Sequence, residues 1–220
     1  MEIGLIQQAK ILFLKEVKTE WRNRYAINGI IVQLVSAVFI VSLCFQSIKP
    51  MTWNALYWVI LLFSAVNAIA RSFIQVRHGR LLYYHSLVHP LAVLYSKMLF
   101  NSILGIVIAI FGYVVFSTLL GSVVADTLRF GGLALAFSVG VGLLFTVVSA
   151  IASKTKAGGI IMPLLSFPLI IPMILVTVTA GVFTVTGDYT DYTQNIAVIT
   201  LINLMVTVIG TVVFRFLWQE

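Results

Sequence analysis

Of the 220 residues, 60% are hydrophobic and only 10% are charged, where an ordinary soluble domain carries about 25% charged residues. So short a chain cannot bury that much apolar surface in a water-soluble core, which excludes a soluble globular fold and leaves an all-α integral membrane protein. The formal charge of +7 then belongs to loops at a membrane surface, with no soluble basic surface to bind nucleic acid.

Residues 1–24 carry Glu2, Lys10, Lys15, Glu16, Lys18, Glu20, Arg22 and Arg24. Their apolar stretch, Ile11 to Leu14, is shorter than the roughly 7–15 residues of a signal h-region, so no cleavable signal peptide is expected. Ile6, Phe13, Leu14, Val17 and Trp21 recur at helical spacing, with Lys10, Lys15, Lys18 and Glu20 away from them. That pattern predicts an amphipathic helix in the membrane interface, its lysines toward anionic lipid. Two roles fit it: a surface anchor, or an elbow that transmits motion from a partner.

Six apolar runs are long enough to span, a span needing about 20 residues. They are Ile27–Ser47, Asn54–Ala70, Leu99–Leu120, Phe130–Ala152, Ile160–Thr184 and Ile196–Phe216. The first holds the lone cysteine, Cys44, so no internal disulfide framework is possible. Between the second and third lies "QVRHGRLLYYHSLVHPLAVLYSK", with all three histidines, a tyrosine pair and no acid. Leu81, Leu82 and Tyr84 oppose Arg77 and Arg80, and Gly79 and Pro90 punctuate the segment. A short interfacial helix there has the form of a docking element, whose aromatics a partner groove could grip. His85 and His89 stand four apart. They are either metal or haem ligands or simply polar interfacial residues, and Pro90 disfavours a helical face at that point.

The fourth run places Gly132, Ala136 and Gly140 at successive i+4 positions, where small residues let helices approach closely. The contact is either within the chain or between subunits. The fifth run holds Pro163, Pro168 and Pro172. Each proline removes a backbone donor, so a kinked or partly re-entrant segment is expected. Asn28, Gln33, Asn67 and Asn203 fall inside runs and are expected to face other helices rather than lipid.

Twelve basic residues fall on one side of this arrangement: Lys10, Lys15, Lys18, Arg22, Arg24, Arg71, Arg77, Arg80, Lys97, Lys154, Lys156 and Arg215. Lys49 and Arg129 fall on the other. The positive-inside rule puts both termini and residues 71–97 in the cytoplasm. The sequence lacks a G-x-x-x-x-G-K-[ST] phosphate loop, so the chain does not hydrolyse ATP by that device. No Asp, Glu or Lys lies mid-span, which argues against an ion-coupled carrier. No H-E-x-x-H, G-x-S-x-G or C-x-x-C-H motif is present, so no enzyme chemistry or attached haem is indicated. A carrier of this kind must take its energy from a partner, or not transport at all.

Three stretches carry a resemblance: "KEVKTEWRNRYAINGI" before the first span, "ARSF" then "GRLLYY" and "HPLAVLYSK" after the second, and the proline-studded fifth run. With these, nearly the whole chain resembles the CcmB family, ABC-2-type permease subunits of bacterial cytochrome c maturation. The family often has an acidic residue just before the loop glycine, where this chain reads "QVRHG". The resemblance implies one permease domain over residues 1–220, with an elbow at 1–24 and a cytoplasmic coupling segment at 71–97. It implies a bacterial inner-membrane location and six transmembrane helices. It implies a homodimer working with CcmA-like ATPases, CcmC- and CcmD-like membrane subunits and a CcmE-like haem chaperone. Haem is the possible transported species, with no cofactor bound tightly. Arg77, Gly79, Arg80, Leu81 and Tyr84 would form the ATPase contact. A permease for a glycan, lipid or drug, and a non-transporting assembly scaffold, are the alternatives.

Overall fold

The computed structural model describes residues 4–22, 24–45, 47–69, 88–155, 158–187 and 190–219. Among them are seven α-helices and no strand. They are α1 (Leu5–Arg22), α2 (Arg24–Cys44), α3 (Pro50–Ile69), α4 (Pro90–Leu120), α5 (Thr127–Ser153), α6 (Gly158–Thr186) and α7 (Tyr192–Gln219). The helices α3 to α7 each contain a stretch long and apolar enough to cross a membrane. In α2 the apolar stretch is the shorter Asn28–Cys44, about 26 Å at 1.5 Å per residue.

The helix ends follow from local chemistry. Pro90 opens α4 at a position where no N–H is needed. His89 caps it, its Nδ1 accepting from the Leu91 amide at 3.3 Å. Asp126 caps α5, accepting from the Leu128 and Arg129 amides at 3.1 and 3.0 Å. Gly121 closes α4 at φ 79°, a conformation that a Cβ disfavours.

Helix α5 is the centre of the bundle and packs against α3, α4, α6 and α7. In its apolar stretch 67% of residues are buried within the chain, against 11% in α7. An apolar helix exposed that far within one chain requires lipid or another protein surface around it. The α4–α5 crossing is close because Gly142 sits on the α4 backbone. A Cβ there would lie 2.6 Å from the Ser102 amide nitrogen and Cα.

Three expectations change. Helix α4 begins at Pro90 rather than Leu99, so residues 90–97 of the expected coupling segment are helical and Lys97 is buried, 4% exposed. The fifth run is not re-entrant. Every residue from Gly158 to Thr186 is helical, through all three prolines. Met162, Ile170, Met173 and Ala180 are buried in the main core, and neighbouring helices support the segment where prolines interrupt its hydrogen bonds. Finally, Asn28, Gln33 and Asn67 lie on the surface of the chain. Only Asn203 of that group bonds another helix, its Nδ2 donating to the Ala136 carbonyl at 2.9 Å.

Candidate functional site

Helix α1 presents three faces. Ile6, Ile11, Leu14 and Val17 are exposed apolar residues, and Lys10, Lys15, Lys18 and Arg22 are exposed bases. Gln8, Leu12, Phe13, Glu16 and Glu20 are half-buried, on the side from which Gln8, Leu12 and Glu16 meet the bundle. Of the apolar row expected from spacing, Ile6, Leu14 and Val17 are exposed, as are the expected lysines, whereas Phe13 and Glu20 fall on the third face. The third combines polar, apolar and acidic residues, so no hydropathy period reveals it.

This third face clamps α1 to the first turns of α4 at three levels. The Gln8 Oε1 accepts from the His89 amide at 2.9 Å. Leu12 packs on a small cluster of Val93, Leu94, Met98, Ala150 and Phe214. Glu16 Oε1 meets Lys97 Nζ at 3.3 Å, with the Lys97 side chain only 6% exposed. Glu20 lies within the same field. Burial, then the Glu16 charge, hold its carboxyl above the usual range, with Lys97 pulling the other way. A charge taken out of water needs such a partner.

The clamp closes the C-terminal end of the connection between α3 and α4. Arg77, Gly79, Arg80, Leu81 and Tyr84, with His78 and His85, lie outside the described residues. His89 is exposed and serves as the α4 cap. Among the described residues no three His, Cys, Asp or Glu side chains gather as a metal-ion cluster. What the geometry offers is mechanical. Residues 88–97 and α1 are joined at three levels, so a displacement of one is felt by the other.

At the opposite end of α4 lies an aromatic core of Trp53, Tyr57, Trp58, Phe116, Phe130 and Phe137, all buried. Trp53 stacks on Tyr57 at 5.6 Å, and Tyr57 meets Trp58 edge-on at 4.9 Å. Each polar atom finds a partner. Trp53 Nε1 donates to the Gly121 carbonyl at 3.1 Å, and the Tyr57 hydroxyl to the Ala109 carbonyl at 3.0 Å. Asn54 accepts from Trp58 Nε1 at 2.7 Å and donates to the Val178 carbonyl at 2.8 Å.

The small-residue stripe of α5 faces its own chain. A Cβ at Gly132 would contact the Tyr192 hydroxyl, and one at Gly140 would meet Asn203 and Met173. Asn54 and Asn101, the latter donating to Thr146 Oγ1 at 2.7 Å, are interhelical amides that the sequence reading missed. Asn54 stands one turn before Trp58, whose indole N–H requires a buried acceptor, and that pairing was the available signal. Of the three prolines, Pro168 and Pro172 are exposed on α6.

Comparison with protein families matches residues 7–216 to the family described as CcmB protein. The chain belongs to the CcmB family. No curated protein and no solved structure matches it. The match begins within α1 and ends within α7, so it takes in the clamp as well as the spans. With five helices among the described residues long and apolar enough to cross a bilayer, this CcmB-family chain is a membrane protein of a transport-related kind.

Proposed function

We propose that this chain is the membrane-spanning subunit of an ABC-type complex that serves haem delivery across the bacterial inner membrane during c-type cytochrome assembly. The observation that carries the reading is the family match over residues 7–216. The chain itself would be non-catalytic, with ATP hydrolysed by a separate CcmA-like subunit. A homodimer of six-span subunits, with both termini in the cytoplasm, is the working unit. CcmC-like and CcmD-like proteins stand beside it, and a CcmE-like chaperone receives the haem. Haem passes as cargo and is not held as a resident cofactor.

In this reading the ATPase grips residues 71–97 through Leu81 and Tyr84. Gly79 shapes the backbone there, and Arg77 and Arg80 sit at the rim. Motion then passes through residues 88–97 into α1. The test has two parts. Deleting the gene should abolish covalent haem staining of c-type cytochromes, with b-type haem unaffected; normal c-type staining would overturn the haem assignment. Leu81→Asp or Tyr84→Asp should then strip the ATPase from the tagged complex, since an unpaired charge in a desolvated groove costs on the order of 2–4 kcal/mol. Arg80→Ala should weaken the contact less, and more so at low salt. Full retention of the ATPase by both Asp variants would remove this segment as the docking element.

A further inference from the structure

Leu12 and Glu16, one turn apart on the inner face of α1, fill two adjoining places on the bundle. Leu12 covers the apolar cluster that includes Val93, Met98 and Phe214. Glu16 Oε1 sits 3.3 Å from Lys97 Nζ. Val93 and Lys97 are themselves one turn apart on α4, so the apolar place and the cationic place lie about 5–6 Å from each other. The surface under α1 is a cation beside a hydrocarbon patch, and a carboxylate is already seated on it.

The two members of the pair depend on each other unequally. The Lys97 side chain is 6% exposed and that of Glu16 30%. Lys97 stands two turns into α4, about 10 Å along the helix from Pro90, and a cation withdrawn from water needs an anion against it. Glu16 has solvent beside it and loses little by turning outward. When α1 lifts, the bundle still requires a carboxylate, whereas α1 no longer requires a lysine. Exchange of Glu16 for another carboxylate keeps the charge at Lys97 balanced. An apolar body on the incoming molecule covers the patch that Leu12 vacates. A small inorganic anion meets the cation and leaves the patch wet, and a neutral lipid does the reverse.

We propose that Lys97 and the cluster under Leu12 form a binding site for an apolar molecule bearing a carboxylate, and that α1 closes this site with Leu12 and Glu16 as a built-in stand-in. Two sources offer that chemistry: a long-chain fatty acid of the bilayer, and a porphyrin cargo, whose side chains end in carboxylates. The porphyrin assignment rests on the haem reading above; the site itself does not.

The test uses the full chain alone in phosphatidylcholine nanodiscs, at mildly alkaline pH. A fatty acid with a photoreactive diazirine in its chain and the methyl ester of the same acid are the paired probes, and peptide mapping reads the label on the segment containing Val93 and Met98. The acid should label that segment more than the ester. Glu16→Gln should raise labelling by the acid about fivefold, since apparent affinity follows the fraction of open sites. Lys97→Met should abolish the preference for acid over ester and Lys97→Arg should keep it, which a merely structural role for Lys97 would not produce. With Gln8→Cys and His89→Cys in a Cys44→Ser background, an oxidised bond across the clamp should suppress the label and reduction should restore it. Competition by protoporphyrin at a lower concentration than oleate assigns the site to cargo, and the reverse order assigns it to bilayer fatty acid. Equal labelling by acid and ester, an acid preference that survives Lys97→Met, or labelling indifferent to the oxidised bond overturns the proposal. If Lys97→Met fails to insert, the ester control and the oxidised bond decide alone. The assay contains no ATPase and no chaperone, so its failure leaves the c-type staining test standing, and normal c-type staining leaves a fatty-acid site standing.

Discussion

At one end of α4 six large aromatic side chains are buried together, with their polar atoms bonded to backbone or to a neighbouring amide. At the other end α1 rests on a cluster of five buried residues, only one of them aromatic, with one amide contact and one ion pair between the buried Lys97 and the half-buried Glu16. The first arrangement is dense and neutral. Moving any part of it opens a cavity or strands a polar atom in a dry interior. The second has few apolar contacts to lose, and Glu16, unlike the buried Lys97, has water at hand to receive its charge. One helix thus joins a region built to stay fixed to a region able to separate, and the separable one adjoins the connection between α3 and α4.

The largest expected effect tests the fixed end. Trp58→Ala removes a fully buried indole and leaves Asn54 Oδ1 without its donor, a loss of about 3–5 kcal/mol. Leu12→Ala at the clamp should be much milder in the same denaturation of detergent-solubilised protein. Equal losses would erase the distinction. Next comes Gly142→Ala, where the new Cβ would meet α4 backbone that cannot yield, at about 1–3 kcal/mol. Gly140→Ala should be less harmful, because the obstructing groups are the side chains of Asn203 and Met173. A greater loss at Gly140 would show that the α5–α7 contact, not α4–α5, is the stiff one.

The clamp should respond more weakly and locally. Glu16→Ala should loosen α1 by on the order of 1–2 kcal/mol, Glu16 being partly exposed although Lys97 is buried. Disulfide trapping between Gln8→Cys and His89→Cys should slow, with the unfolding of the bundle unchanged. Coupled unfolding of both would mean that the two ends are one unit. The smallest effect is on pH. An acid whose docked-state value is raised favours its neutral form there. The Glu20 contribution is therefore present at low pH and lost as pH climbs from about 4.3 through the raised value. Spin-label distances between positions 8 and 89 should broaden over that rise. Glu20→Gln should flatten the response, and an unchanged profile in that variant would transfer the effect to Glu16 and Lys97.

What could be read from the sequence depended on whether the signal was local. Six apolar runs announce themselves because each residue of a span meets the same hydrocarbon, and the helices fall where the runs do. The Gly132, Ala136 and Gly140 stripe was legible because it repeats along one helix. Gly142 was not, since its requirement comes from the Ser102 backbone on α4. In the sequence Lys97 has the look of a loop residue, because a charge normally marks the membrane surface. Its partner, Glu16, lies on a distant helix, and no window of sequence contains both. Asn28, Gln33 and Asn67 misled in the opposite sense: polarity within a run shows a need for a partner without naming where it comes from.

The prolines of α6 have a further result. In an α-helix each carbonyl looks to the N–H four residues on, and proline has none to give. The carbonyls of Gly159, Leu164 and Pro168 therefore lack their ordinary donor, because Pro163, Pro168 and Pro172 stand in its place. Judged by side chains, this half of α6 is apolar apart from the buried Ser166. Judged by its peptide groups, it gives up three of the hydrogen bonds that a regular helix would make.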